Sequence, residues 1–324
     1  MEKTELTLED VKKTIVAEDK KCKDITATFG DMEFLGDEGI KIKKSLYKLN
    51  AYSLSNLLYK LQIQRKTLDK FSESFQQKMI NERLKQLGTD GCIARVKNDR
   101  LRVLVSPNYV KSDNIDIVNQ LSTVDLIDEY FVKRFNLDDF SMKIDLVKNN
   151  GRRSIGMMTD GKLDEFEHGF SASNSEVGLY SLDLSSFLYR LICTNGAVAK
   201  DSIFSINQRH YGRNAQINIQ DRFNLLKESS AKLFDKLGSL KDSPIENADN
   251  DFFESFFKEL RKKNKSFYAS KELREKVTNN YNIESQLTEN NYYTLFNAIT
   301  RTARDEQNVD KKFELESLAG TFLS

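Results

Sequence analysis

Apolar and polar residues alternate most cleanly near the centre of the chain. Cys92-Ile93-Ala94-Arg95-Val96-Lys97 and Arg100-Leu101-Arg102-Val103-Leu104-Val105 flank the pair Asn98-Asp99, which reads as a β-hairpin. The same alternation over Ser141–Val147 predicts another strand. Asp160-Gly161 marks a turn, and Gly169–Leu184 reads as extended segments broken at Gly178.

Elsewhere the spacing is helical. From Leu46 the pattern turns to three- and four-residue steps, with Leu54, Leu57, Leu58 and Leu61 on one stripe. A second helix is expected over Thr67–Leu87, carrying Leu68, Phe71, Phe75, Met79 and Leu84 on one side and stopped by Gly88. A short helix is expected over Phe187–Cys193, ended by Asn195-Gly196. After Gln220, Phe223, Leu226, Leu233, Phe234 and Leu237 predict a helix ending near Gly238. Polar Lys241–Asp251, with Pro244, reads as a loop, and helices are expected over Asp251–Lys263, Ser270–Val277 and Asn290–Arg304. Residues 1–44 are charged and mixed, with Phe29, Phe34 and Leu35 among Gly30, Gly36 and Gly39 suggesting short strands and turns. The expected class is α+β. A mostly antiparallel mixed sheet with flanking helices occupies 1–220, and a helical part over 221–324 packs on it.

Composition narrows the function. Hydrophobic residues make up 39% and charged ones 31%, as in a water-soluble globular chain. No apolar run approaches the roughly 18 residues of a bilayer span, and Met1-Glu2-Lys3 opens no signal-peptide core, so a cytoplasmic protein of a bacterial host cell is expected. The 50 Lys and Arg against 49 Asp and Glu give a formal charge of +1, which argues against a whole-molecule polyanion binder and leaves room for a local basic face. Three distant cysteines offer no disulfide framework, and two histidines make a histidine-built zinc site a poor reading. No phosphate-cradling Walker loop, dinucleotide glycine fingerprint, His-Glu-x-x-His or Gly-x-Ser-x-Gly occurs, so no enzyme, cofactor or metal is expected.

Several stretches together resemble one family. Arg102–Asn114, with its closing Asp113-Asn114, is similar to the family's "RA-x-LS-x-x-Y-x-x-x-DN", although Pro107 departs from the acidic residue usual there. Asn174-Ser175-Glu176-Val177-Gly178 is similar to "NSEVG", and Leu188–Gly196 to "LYRLVCTNG". His210 with Gly212-Arg213 resembles "RH-x-G", and Asn297-Ala298-Ile299-Thr300 resembles "NA-x-T". The blocks stand in family order over roughly two-thirds of the chain, which weighs more than any single motif. They resemble the phage/plasmid-like family called domain of unknown function 932. The resemblance implies a role in mobile-element biology.

The basic residues carry the leading functional expectation. Arg95, Arg100 and Arg102 fall on the hairpin with Lys97, while Arg190, Arg209, Tyr211 and Arg213 lie in or beside the later motifs. Arginine interleaved with aromatic residues grips phosphates and stacks bases. A non-enzymatic, homo-oligomeric nucleic-acid-binding protein is expected, with single-stranded DNA its partner in replication, recombination or strand annealing. The alternative is an interaction protein that inhibits a host factor such as an anti-phage defence system, using a Phe-rich surface at Phe252, Phe253, Phe256 and Phe257. The plainer account of those four is core packing. The structural account of Glu176 and Arg190 is a buried pair between them. A third reading, Cys193 as nucleophile with His210 as base, competes with a cysteine that is simply buried.

Overall fold

In the computed structural model the central hairpin forms where its alternation places it. The structure describes residues 6–125, 127–191, 195–198, 205–208, 219–263 and 269–323. Helix α1 (Leu8–Asp19) precedes β1 (Cys22–Thr28), β2 (Met32–Phe34), β3 (Ile40–Ile42) and β4 (Ser45–Leu49). Helices α2 (Ala51–Lys60), α3 (Arg65–Leu68) and α4 (Glu73–Gln86) lead to β5 (Gly91–Lys97) and β6 (Arg100–Val105). These six strands form one sheet, ordered β1-β5-β6-β4-β3-β2, antiparallel except between β4 and β6. Asn98 sits at φ 52 in the hairpin turn, a left-handed conformation that asparagine tolerates better than most residues.

Leu57, Leu58 and Leu61 bury against this sheet together with Ile80 and Leu84, contacting a core that includes Ile40, Ala94 and Leu101. Two helix boundaries differ from expectation. Leu46 belongs to β4, and α2 starts only after Asn50, whose side chain accepts the Ser53 N–H while Ser53 caps in return. The helix expected over Thr67–Leu87 is broken between α3 and α4, because Phe71 and Phe75 lie 43% and 46% exposed instead of sharing the buried stripe. Residues 8–19 add a helix that the charged, weakly periodic opening concealed. Thr7 and Asp10 cap it reciprocally, and only Val11 and Ile15 are buried.

A second sheet follows α5 (Asn114–Ser122). It contains β7 (Tyr130–Leu137), β8 (Met142–Met157), β9 (Leu163–Asn174), β10 (Leu182–Arg190), β11 (Asn195–Val198) and β12 (Ser205–Gln208). The order is β11-β10-β9-β8-β7, with β12 also paired to β10, and every pairing is antiparallel. The helix expected from Phe187 is therefore not formed as far as Arg190: Leu182–Arg190 is a strand, bonded to neighbours on both sides, and Arg190 registers with Asn195. Among the described residues five helices close the chain: α6 (Ile219–Lys241), α7 (Asn250–Lys263), α8 (Lys271–Glu284), α9 (Tyr292–Asp305) and α10 (Val309–Gly320).

The α+β class stands, with two mostly antiparallel sheets and a helical C-terminal part. Helix α6 spans two cores. Phe223 and Leu226 join α1, α5 and one face of the second sheet, while Leu233 and Leu237 join α7 to α10. Phe253 and Phe257 are buried in that helical core, whereas Phe252 and Phe256 pack at its margin.

Candidate functional site

The two sheets meet at Asn174–Gly178, the turn that follows β9. Glu176 is the knot. One carboxylate oxygen accepts the Asn114 N–H at 2.8 Å and the other accepts Arg102 Nη1 at 2.8 Å, while its carbonyl accepts Arg95 Nη1 at 2.9 Å. Asp113 is the N-cap of α5 but makes no capping bond, so the Glu176 carboxylate serves that helix end instead. Asn174 donates to Asn114 Oδ1 at 2.8 Å, Ser175 donates to the Phe140 carbonyl at 2.8 Å, and Tyr52 donates to the Val177 carbonyl at 3.0 Å. Gly178 ends the turn at φ 75, which glycine adopts without strain. Two motif segments far apart in sequence, Arg102–Asn114 and Asn174–Gly178, are thus parts of one joint.

Beside the joint opens a cavity of about 410 Å³, bounded by α1, β1, the β5–β6 hairpin, the start of α5 and the end of β7. Both cations that line it are already paired. Lys97 meets Asp139 at 2.5 Å and Glu18 at 3.0 Å; Arg102 donates to Glu176 and twice to the Asp139 carbonyl. Arg95, on the same sheet face, bonds Asp24 at 3.0 Å and Asp113 at 2.5 Å. Burial pushes the Cys22 thiol up, so it is no ready nucleophile, although Arg102 Nη1 lies 3.7 Å from its sulfur.

The carboxyls here respond in opposite directions. Burial alone would raise Asp24, but bonds from Lys111 and Arg95 hold it below its ordinary value, and bonds from Lys21 and Lys97 lower Glu18 likewise. Burial dominates at Asp113 and raises it despite Arg95. A lowered carboxyl stabilises the fold fully above its unfolded value and loses that contribution as pH falls through its folded value; a raised one acts oppositely. Asp145 joins the lowered group, because Lys143, Arg134 and Ser171 outweigh its complete burial. Three lowered carboxyls against one raised predict a net loss of stability below about pH 4. Urea midpoints measured at about pH 6 and about pH 3 check this: an unchanged midpoint contradicts it.

A second charged joint lies between β10 and the C-terminal helices. Arg190 Nε and Nη2 each donate to Asp164 at 2.7 Å, and Nη1 donates to Glu284 at 2.6 Å. Arg301 Nε reaches the other Glu284 oxygen at 2.7 Å, and the Tyr293 hydroxyl donates to Asp164 at 2.5 Å. The Arg190, Asp164 and Glu284 side chains are 1%, 1% and 0% exposed. Glu176 and Arg190 are both held in ion pairs, as expected, but not with each other. Arg301 also serves this joint.

The expected site residues therefore divide. Arg95, Arg102 and Arg190 are buried against carboxylates, and burial of those pairs takes their guanidiniums out of reach of a phosphate. Arg100 is exposed. Arg209, Tyr211 and Arg213 lie outside the described residues, as do Cys193 and His210. Among the described residues no group of three His, Cys, Asp or Glu is arranged to hold a metal ion.

Sequence reasoning missed a third network. Across β7, β8, β9 and β10 one registered row reads Arg134, Asp145, Ser171, Ser185, and the next reads Asn136, Lys143, Ser173, Asp183. Glu316 of α10 closes over them, accepting from Arg134 at 2.8 Å and from Lys143 at 3.1 Å. The signal was present in the alternation Phe170-Ser171-Ala172-Ser173 and Leu182-Asp183-Leu184-Ser185, but alternation assigns a polar face to solvent by default. No curated protein and no solved structure matches the chain. The family model described as Domain of unknown function (DUF932) matches residues 142–315. That span starts in β8, holds both the Asn174–Gly178 turn and the Arg190 joint, and reaches into α10. A match over more than half its length, carrying the motifs that tie its sheets and helices together, makes this chain a member of the DUF932 family.

Proposed function

We propose that the chain is a nucleic-acid-binding protein, carried by phages or plasmids and acting without catalysis in replication, recombination or strand annealing in the bacterial cytoplasm. The observation supporting this reading is the uncovered half of the first sheet's polar face. Lys41, Lys48 and Arg100 occupy exposed positions on β3, β4 and β6, and Lys48 registers directly with Arg100. Lys43 and Lys44 extend the patch at the β3–β4 turn. Nearby acids are fewer: Glu33 stands opposite Lys41, and Asp99 lies 3.7 Å from Lys48. Leu46, 47% exposed beside them, offers an apolar surface to a base. Exposed cations of this kind bind phosphates without reading sequence, and near-zero net charge favours an oligomer that multiplies modest contacts.

Fluorescence anisotropy with labelled single- and double-stranded DNA, at low and near-physiological salt, tests the reading. Tighter binding of the single strand is expected. The double variant Lys48→Glu, Arg100→Glu should weaken binding and flatten the salt dependence by about 1.4 in logarithmic slope, two phosphate contacts at about 0.7 each. Absence of binding at low salt ends this proposal.

A second reading has its own observation. Phe252, Phe256, Tyr292 and Phe322 line an apolar groove at the margin of the helical core. A host protein held there would make the chain an inhibitor of that factor. Stoichiometric retention by the native chain, lost with Phe256→Glu, would favour it.

A further inference from the structure

The exposed cations lead towards the joint. Arg100 registers with Lys97 on β5 as well as with Lys48 on β4, and Lys97 lines the 410 Å³ cavity. A line of cations therefore runs over one sheet face from Lys41 through Lys48 and Arg100 to the cavity wall. Inside the cavity the balance reverses. Four carboxylate side chains line it against two cations, and Lys97 and Arg102 already donate to carboxylates. A phosphate entering there would lose hydration and meet net negative charge. An uncharged group rich in amino hydrogens meets carboxylate oxygens instead, with the exposed Asp19 at the rim.

The rest of the lining suits a flat ring. Phe135 of β7 adds an aromatic residue to the lining, and the volume falls within the usual range for a small organic ligand. We infer that the cavity takes one unstacked nucleobase of a single strand whose phosphates lie along Lys41, Lys48 and Arg100. This rests on the nucleic-acid reading above. Carboxylate acceptors select the exocyclic amino groups of cytosine and adenine over the carbonyl-bearing edge of thymine, and an aromatic wall adds stacking. Unpaired strands present such bases at little cost, whereas a duplex must first open.

The probes are labelled oligonucleotides of equal length: oligo-dC, oligo-dA, oligo-dT and an abasic sugar-phosphate strand. The native chain should bind the dC and dA strands about tenfold more tightly than the abasic strand, the value of one stacked and bonded base. It should bind dT less tightly than either. Thr14→Arg, at an exposed α1 position that lines the cavity, fills the mouth and should erase the preference while abasic binding persists. Equal binding of dC, dT and abasic strands overturns the base cavity and leaves the nucleic-acid reading standing. A preference that survives Thr14→Arg also overturns the cavity assignment. No binding of any strand at low salt overturns both.

Discussion

Glu284→Ala is expected to destabilise the protein by roughly 3–5 kcal/mol, the range for removing one partner of a buried ion pair. Glu284 is fully buried and accepts from Arg190 with one oxygen and from Arg301 with the other. Its loss removes the 2.6 Å carboxylate partner of Arg190 Nη1 and the 2.7 Å partner of Arg301 Nε. Arg190 cannot shed its proton to relieve the imbalance: Asp164, Tyr293 and Glu284 more than offset the burial that would lower it, so its pKa stands above the usual arginine range. Denaturant unfolding should show a lower midpoint with an unchanged slope. The partner experiment is joint replacement of Arg190, Asp164 and Glu284 by apolar residues of similar volume. A buried ionic cluster exchanged as a unit is often near neutral in stability. If Glu284→Ala alone proves neutral, the cluster does not hold β10 to the C-terminal helices.

Gly169→Ala is the second large effect, about 3 kcal/mol or more. A Cβ at this position would lie 1.7 Å from the Leu146 carbonyl oxygen and 2.9 Å from Val147 Cα, both backbone atoms of β8. No rotamer relieves that contact, so the β8–β9 ladder must separate in the middle of the second sheet. Gly238 is the contrast. It lies inside α6, with nothing within 4 Å of its added Cβ, so Gly238→Ala should stabilise the chain by up to about 1 kcal/mol through helix propensity. Thermal unfolding of the two variants beside the native chain checks the pair. Similar midpoints for both would mean that β8 and β9 are not so closely apposed.

Local pattern carried much of the architecture. The Cys92–Val105 hairpin, the β8 strand around Ser141–Val147 and the helices α7 and α9 follow from alternation, helical spacing and capping, which act within a few residues. The family was legible too, because Asn174–Gly178 and Leu188–Gly196 are contiguous stretches. What those stretches do was not legible. Phe187–Cys193 has the apolar content of a short helix, yet Leu182–Arg190 is a strand because β9 pairs with it on one side and β11 and β12 on the other. Tertiary pairing overrides a weak local preference.

The charged residues show the same division more sharply. Arg95, Lys97, Arg100 and Arg102 were readable as one face of one hairpin, since strand side chains alternate with period two. Which of them meets water depends on Asp24, Asp113, Asp139 and Glu176, which are distant in sequence or on other elements. Arg190 likewise draws its partners from Asp164 and from Glu284, 94 residues further on. The sequence by itself determined the class, the family and the faces on which charge lies. Only the tertiary structure decided which charges are neutralised, because a buried cation is tolerated only where the fold delivers a carboxylate to it.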